Sequence, residues 1–244
     1  MHRISVRLGA AAAALLGLAL AASLAAAQPL KGDMILTDSS PLIIHPISHA
    51  TFAMYWNGNT IYNDPIGGAA PFQGLPKPDL ILISHAHSDH FDVKTLQAIV
   101  QPNTKIVAPA SVAEKLPQDL RSKTTVLGNG RTTSLLGISI QAVAAYNTTP
   151  ERLKYHPKGV GDGYVLTIGG KRIYISGDTE ETPEMRAQEH RCRIHLFQPA
   201  LHHDGGEAVR DIHPMIVYPY QGNSDGCGIA PSPRDSRSGL SRAI

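Results

Sequence analysis

Apolar residues fall along this chain in short runs whose spacing favours strands for much of its length. Leu42–Ile47 and Thr51–Trp56 are largely apolar, and Asn57-Gly58 separates the second run from Thr60–Tyr62. Both turn residues tolerate positive φ, so the spacing predicts a hairpin. Asp79–Ser84 holds an unbroken apolar stretch, the pattern of a strand buried on both faces. Asp92–Val100 then places Leu96, Ile99 and Val100 on one helical face. Lys105–Ala108 predicts a strand and Ser111–Leu116 a short helix. Strands are predicted again near Thr124–Leu127, Thr132–Leu136 and Ile138–Ala145. A second hairpin joins Gly163–Ile168 to Lys171–Ser176 through Gly169-Gly170, and Met215–Tyr218 reads as a last strand. Hairpins mixed with strand–helix–strand units imply a layered α/β domain with a mixed sheet.

Composition changes this picture at the two ends. Residues 1–27 combine Arg3 and Arg7, an apolar run from Leu8 to Leu24 and a closing Ala25-Ala26-Ala27. That is the pattern of a cleaved export signal rather than a membrane span, with the mature chain starting at Gln28. The expected location is therefore periplasmic or secreted, without stable membrane association after cleavage. Losing both arginines leaves 20 basic against 20 acidic residues. A neutral chain argues against nucleic-acid binding through bulk charge. Cys192 and Cys227 are the only cysteines, too few for a disulfide scaffold.

The metal-type chemistry is concentrated after the buried strand, where the chain reads His85-Ala86-His87-Ser88-Asp89-His90. On extended backbone His85 and His87 point alike and can reach one metal, while Asp89 and His90 can turn toward a second. Three imidazoles and a carboxylate this close are hard to accommodate unless a cation organises them.

This H-x-H-x-D-H pattern resembles that of the metallo-β-lactamase-fold hydrolases, with closest likeness to the lactonase-like branch that includes ascorbate-6-phosphate lactonase. Ser48-His49-Ala50-Thr51-Phe52, Asn63-Asp64-Pro65, His156-Pro157-Lys158-Gly159 and Gly177-Asp178-Thr179 match too, over roughly residues 42–185. The resemblance implies an αββα sandwich spanning residues 28–220. It implies two metal ions, zinc by ligand type, with manganese, iron or nickel also compatible. His85, His87 and His156 would hold one ion and Asp89 and His90 the other, with Asp178 bridging. His156 lies nine residues past Asn147, which stands where relatives often carry the third His, and so must fold back; Asn147 itself is the alternative ligand. Asp178 could instead cap a helix starting near Pro183. His49 is expected near the site as a substrate contact, a ligand's neighbour or a strand-edge residue.

Two departures stand against the resemblance. No His follows the last strand, where Gln221 stands. Residues 188–214 carry His190, His195, His202, His203 and His213 but show neither the strand nor the amphipathic helix expected there. This stretch reads as a reading-frame disturbance, or else His202-His203 supply a replacement ligand. Residues 221–244 lack any hydrophobic period and read as a disordered tail, leaving the sandwich incomplete at its C-terminal end. The expected activity is hydrolysis of an ester, lactone, amide or phosphoester of a small molecule by metal-activated hydroxide, with Asp89 orienting the nucleophile. A periplasmic metallo-β-lactamase and a degenerate, non-catalytic metal binder are the rival readings. The bridging-type Asp178 argues against the first, and the missing late His favours the second.

Overall fold

The computed structural model describes residues 30–189, 191–192, 194–197, 216–219 and 230–231. The export signal, His202-His203, Gln221 and nearly all of the predicted tail lie outside these residues. Two seven-stranded sheets face one another. The first contains, in spatial order, β1 (Asp33–Ile35), β2 (Leu42–Ser48), β3 (Thr51–Trp56), β4 (Asn59–Asn63), β5 (Leu80–Leu82), β6 (Lys105–Ala108) and β7 (Thr124–Val126). Pairing is antiparallel from β1 to β4 and parallel from β4 to β7. The second contains β8 (Thr132–Leu135), β9 (Ile138–Ala145), β10 (Gly161–Ile168), β11 (Lys171–Ile175), β12 (Ile194–Phe197), β13 (Ile216–Pro219) and β14 (Ala230–Pro231). It is antiparallel from β8 to β11, parallel through β12 and β13, and antiparallel again at β14.

Side-chain alternation sorts the strands into layers. Leu80 and Leu82 of β5 join Ile44, Met54 and Val107 against Ile140, Tyr164 and Ile175 of the second sheet, forming the central core. Ile81 and Ile83 point the other way, toward Leu96 and Ile99 of α1 (Val93–Ile99) and Val112 of α2 (Ala110–Ala113). Leu120 of α3 (Gln118–Arg121) completes that outer layer. On the far side Met185 of α4 (Pro183–Glu189) packs with Val143, Val165, Tyr174 and Cys192. Helix, sheet, sheet, helix is the expected αββα sandwich, and the continuous apolar run of β5 arises because both of its faces are covered. Asn57 and Gly58 have φ of 48° and 82°, as the predicted hairpin requires.

The expectation that residues 188–214 contain no strand is corrected. β12 pairs in parallel with β11 and β13, and Ile194 and Leu196 are buried in the central core. Two alternating apolar residues suffice when a neighbouring strand supplies the pairing; the histidines and arginines around them obscured the signal. α4 ends just before this strand, and α3 was not anticipated at all.

Candidate metal centre

Every element that carries a predicted ligand ends at one edge of the two sheets. His85 and His87 follow the carboxyl end of β5, and the amides of His90 and Phe91 close a turn onto the carbonyl of His87 at 3.0 and 2.8 Å. That turn brings the His90 ring back to 4.1 Å from that of His85. The second sheet is tied to the same edge. Tyr164 Oη donates to the carbonyl of Ile83 at 2.7 Å, and the Asp162 amide donates to the carbonyl of Ser84 at 2.9 Å. Gly161 suits the approach, because a Cβ there would lie 3.4 Å from His85 Cβ and 3.7 Å from the carbonyl oxygen of Ser84. Gly177 adopts φ of +61°, where most side chains are strained, and turns Asp178 inward.

His156 folds back as its position demanded. The Asn147 amide donates to the His156 carbonyl at 2.9 Å, and Asn147 Oδ1 lies 2.7 Å from His156 Nδ1. Asn147 Oδ1 therefore faces His156 Nδ1 and holds the imidazole. Asp178 is not a helix cap: α4 starts five residues later, and its Thr182 Oγ1 accepts from the Met185 amide at 3.1 Å.

One ring nitrogen from each of His85, His87 and His156 lies within 4.8 Å of the others, and the same holds for one ring nitrogen or carboxylate oxygen from each of His85, His90 and Asp178 and of His49, Asp89 and His90. Asp178 sits between the sets. Its Oδ2 is 3.3 Å from His156 Nε2 and 3.8 Å from His85 Nε2, and its Oδ1 is 3.1 Å from His90 Nε2. All six predicted residues are thus brought together. His49, expected near the site as a substrate contact, a ligand's neighbour or a strand-edge residue, stands 3.1 Å from Asp89 Oδ2 through its Nε2.

Residues behind the ligands decide which nitrogens face inward. Asp64 is fully buried and accepts from the Ser84 amide and the Ser84 hydroxyl, each at 2.7 Å, and from His90 Nδ1 at 2.8 Å. Since Ser84 Oγ spends its hydrogen on Asp64, it accepts from His85 Nδ1, 3.0 Å away. Nδ1 of His85, His90 and His156 is thereby occupied, leaving each Nε2 to the cluster, the usual arrangement for metal-binding histidines. Asp64 and Ser84 received no role from sequence reasoning, although Asn63-Asp64-Pro65 was one of the matching segments.

Nε2 of His85 and of His156 are buried without a hydrogen-bond partner. Orphaned acceptors of this kind are rare and call for an explanation, and a cation supplies one. The titration behaviour agrees. Burial, followed by the charge of His90, drives His85 down to about 2. Burial also lowers His90, yet hydrogen bonds to Asp178 and Asp64 outweigh it and lift the group to about 10. Burial would raise Asp178, but His156 and His90 hold it well below the usual carboxylate range. Without metal, the cluster therefore keeps a proton on His90 between two carboxylates, where a metal ion would stand in its place.

Glu180 secures the loop that brings His156 back. Its Oε2 accepts from the amides of Thr148 and Thr149 at 2.7 and 2.6 Å and from Thr148 Oγ1 at 3.0 Å. Burial opposes ionisation here, but those amides hold the carboxyl down to about 2. A depressed carboxylate stabilises the fold above its unfolded value of 4.5 and loses that contribution as pH falls toward 2. Glu180→Gln should cost about 1.5–3 kcal/mol at pH 7 and flatten stability between pH 4.5 and 2. Urea denaturation at several pH values checks both; an unchanged pH profile would leave the loop without this anchor.

Comparison with known proteins accords with this site. The family described as the Beta-lactamase superfamily domain matches residues 59–214. The chain belongs to this superfamily. A UPF0173 metal-dependent hydrolase of Thermoplasma acidophilum is 32% identical over 158 residues, covering 61% of this chain and 67% of that one. One from Anaeromyxobacter dehalogenans is 29% identical over 198 residues, covering 70% and 71%. Matches to two further archaeal members span only 59 and 60% of the relatives' lengths. Among solved structures, a Parabacteroides distasonis protein classed with metal-dependent hydrolases superposes with a TM-score of 0.70 at 35% identity, covering 80% of this chain and 89% of that one. As a member of the superfamily the chain is a metal-dependent hydrolase, and its converging His and Asp side chains could hold the metal.

Proposed function

We propose that the protein is an exported hydrolase that cleaves an ester, lactone, amide or phosphoester of a small acidic molecule with two zinc ions. The observation that supports this most directly is the pair of orphaned Nε2 atoms, on His85 and His156, facing Asp178 in the wall of a cavity of about 250 Å³. His85, His87 and His156 would hold one ion, and Asp89 and His90 the other, with Asp178 between them. Bound there, the ions would activate water and polarise the scissile group. Asp64, Ser84 and Asn147 keep the imidazoles oriented. Asp89 is half-exposed at the rim, placed to orient a water or to accept its proton.

Lys115 and Lys154 also line the cavity, and among the described residues neither has an ion-pair partner. Two unneutralised ammonium groups beside the cluster favour a substrate bearing a carboxylate or phosphate. Leu153, Tyr155 and Val160 remain exposed nearby, enough apolar surface to receive a small organic body. Resemblance to the lactonase-like branch is compatible with such a substrate.

The test is metal analysis of purified protein alongside a panel of acidic and neutral esters, lactones and phosphoesters. Two equivalents of zinc and zinc-dependent turnover of the acidic members are expected. Less than one equivalent with no turnover favours the degenerate binder, and nitrocefin hydrolysis as the dominant activity favours the lactamase reading. Export is tested separately by N-terminal sequencing of protein recovered from a bacterial periplasm. It should start at or near Gln28, and an intact Met1 in the membrane fraction defeats it.

A further inference from the structure

His49 is tied to none of the three imidazoles around the first ion, yet it converges with Asp89 and His90. We infer that His49 is a ligand of the second metal ion, joining Asp89 and His90 in a three-donor set whose third arm comes from the β2–β3 turn. This rests on the two-metal reading above and adds a ligand that neither the motif nor its resemblance supplies.

Three observations carry it. First, the spacing suits a small divalent cation. With bonds of about 2.0–2.2 Å, neighbouring donors of a tetrahedral site stand about 3.3–3.6 Å apart. Here His49 Nε2 is 3.1 Å and His90 Nε2 3.8 Å from Asp89 Oδ2, and one donor atom from each of the three residues lies within 4.8 Å of the others. Second, His49 holds a left-handed backbone, with φ of 52°, just after a register irregularity between Pro46 and Ser48. An irregularity of this kind re-aims a side chain, and the positive φ persists against local preference. Third, the turn is pinned to the segment that orients His90. Asn63 Nδ2 donates to the Ala50 carbonyl at 3.1 Å, and Thr51 Oγ1 donates to the Asp64 carbonyl at 2.6 Å. His49 and the Asp64–His90 pair are therefore placed by one piece of backbone.

A rival role is that His49 only orients Asp89 by a hydrogen bond. The two are separated by His49→Gln, which keeps a donor of similar reach, and His49→Asn, which keeps a residue at ease with the left-handed backbone. Wild type and both variants are stripped with chelator and titrated with zinc, and the uptake is repeated with cobalt(II), whose visible absorption reports ligand replacement.

The wild type should take up two equivalents. Both variants should keep the first with unchanged affinity and hold the second at least 10-fold more weakly, with an altered absorption band for the second cobalt ion. If His49→Gln binds the second equivalent as the wild type does, with the same spectrum, His49 is only an orienting residue and the inference fails. It also fails if the wild type takes up a single equivalent that both variants retain. A wild type that binds no metal overturns the hydrolase reading itself, which the first titration shows independently of either variant.

Discussion

Replacing His87 with alanine is expected to abolish high-affinity binding at the first metal site and, with it, hydrolytic activity, while leaving the metal-free fold intact. His87 is exposed, on the irregular stretch after β5, and its ring stands against those of His85 and His156, at centroid distances of 4.6 and 4.8 Å. Truncating an exposed side chain shifts stability by only about 0.5 kcal/mol. Burial and the neighbouring His156 already depress its protonation, so no stabilising charge is lost. Metal affinity is another matter. Loss of an outer partner of a ligand costs roughly 10–100-fold, and loss of a ligand should exceed that. Without metal, the thermal midpoints of wild type and variant should coincide. In excess zinc only the wild type should gain, because a ligand that binds the native state alone stabilises it by mass action. A His87→Ala protein with full metal content and unchanged turnover would remove His87 from the site.

Asp64→Ala should be the most damaging single change, acting on stability and on metal together. Asp64 and His90 are both completely buried, and Asp64 accepts three hydrogen bonds from the strand end that carries the ligands. Removing one partner of a buried charged pair costs about 3–5 kcal/mol, a large share of the 5–15 kcal/mol that typically holds a domain together. The Ser84 amide and hydroxyl lose the acceptor they share, and His90 Nδ1 is left facing the Ser84 hydroxyl at 3.2 Å in place of a carboxylate. His90 is then held less firmly, so the second ion should bind about 10–100-fold more weakly in whatever fraction folds. Asp64→Asn keeps the shape and one acceptor oxygen but presents an amide N–H₂ to donors, and should fall between the two. Guanidinium denaturation of metal-free protein reads the first effect and zinc titration the second. Wild-type values in both for Asp64→Ala would mean that His90 is oriented by Ser84 alone.

Much of the architecture was legible because local pattern and burial agree. Alternation separates inner from outer residues in β2, β3 and β9, and Leu80–Leu82 reads as continuously apolar because α1 and α2 cover one face while the second sheet covers the other. Residues 188–214 were misread because β12 needs only Ile194 and Leu196 when β11 already offers a paired edge. Composition counts the surrounding His and Arg residues and is blind to that edge. The six predicted ligands were legible for a different reason. Four of them sit within six residues, and a carboxylate amid imidazoles is improbable without a cation.

The sequence alone therefore determined the layered α/β class, the strand that carries the motif and six His and Asp side chains that gather beyond its end, since these depend on periodicity and residue chemistry close along the chain. It did not determine which nitrogen each histidine presents, nor that His49 reaches Asp89 across 40 residues, nor that Asn147 holds His156 instead of replacing it. Those follow from hydrogen bonds between segments distant in sequence. Asp64 orients His90 because β4 and β5 lie side by side, and His156 faces Asp178 because Glu180 clamps the intervening loop. Such contacts exist only once the two sheets have closed on their common core, and no local pattern encodes the direction in which a side chain then points.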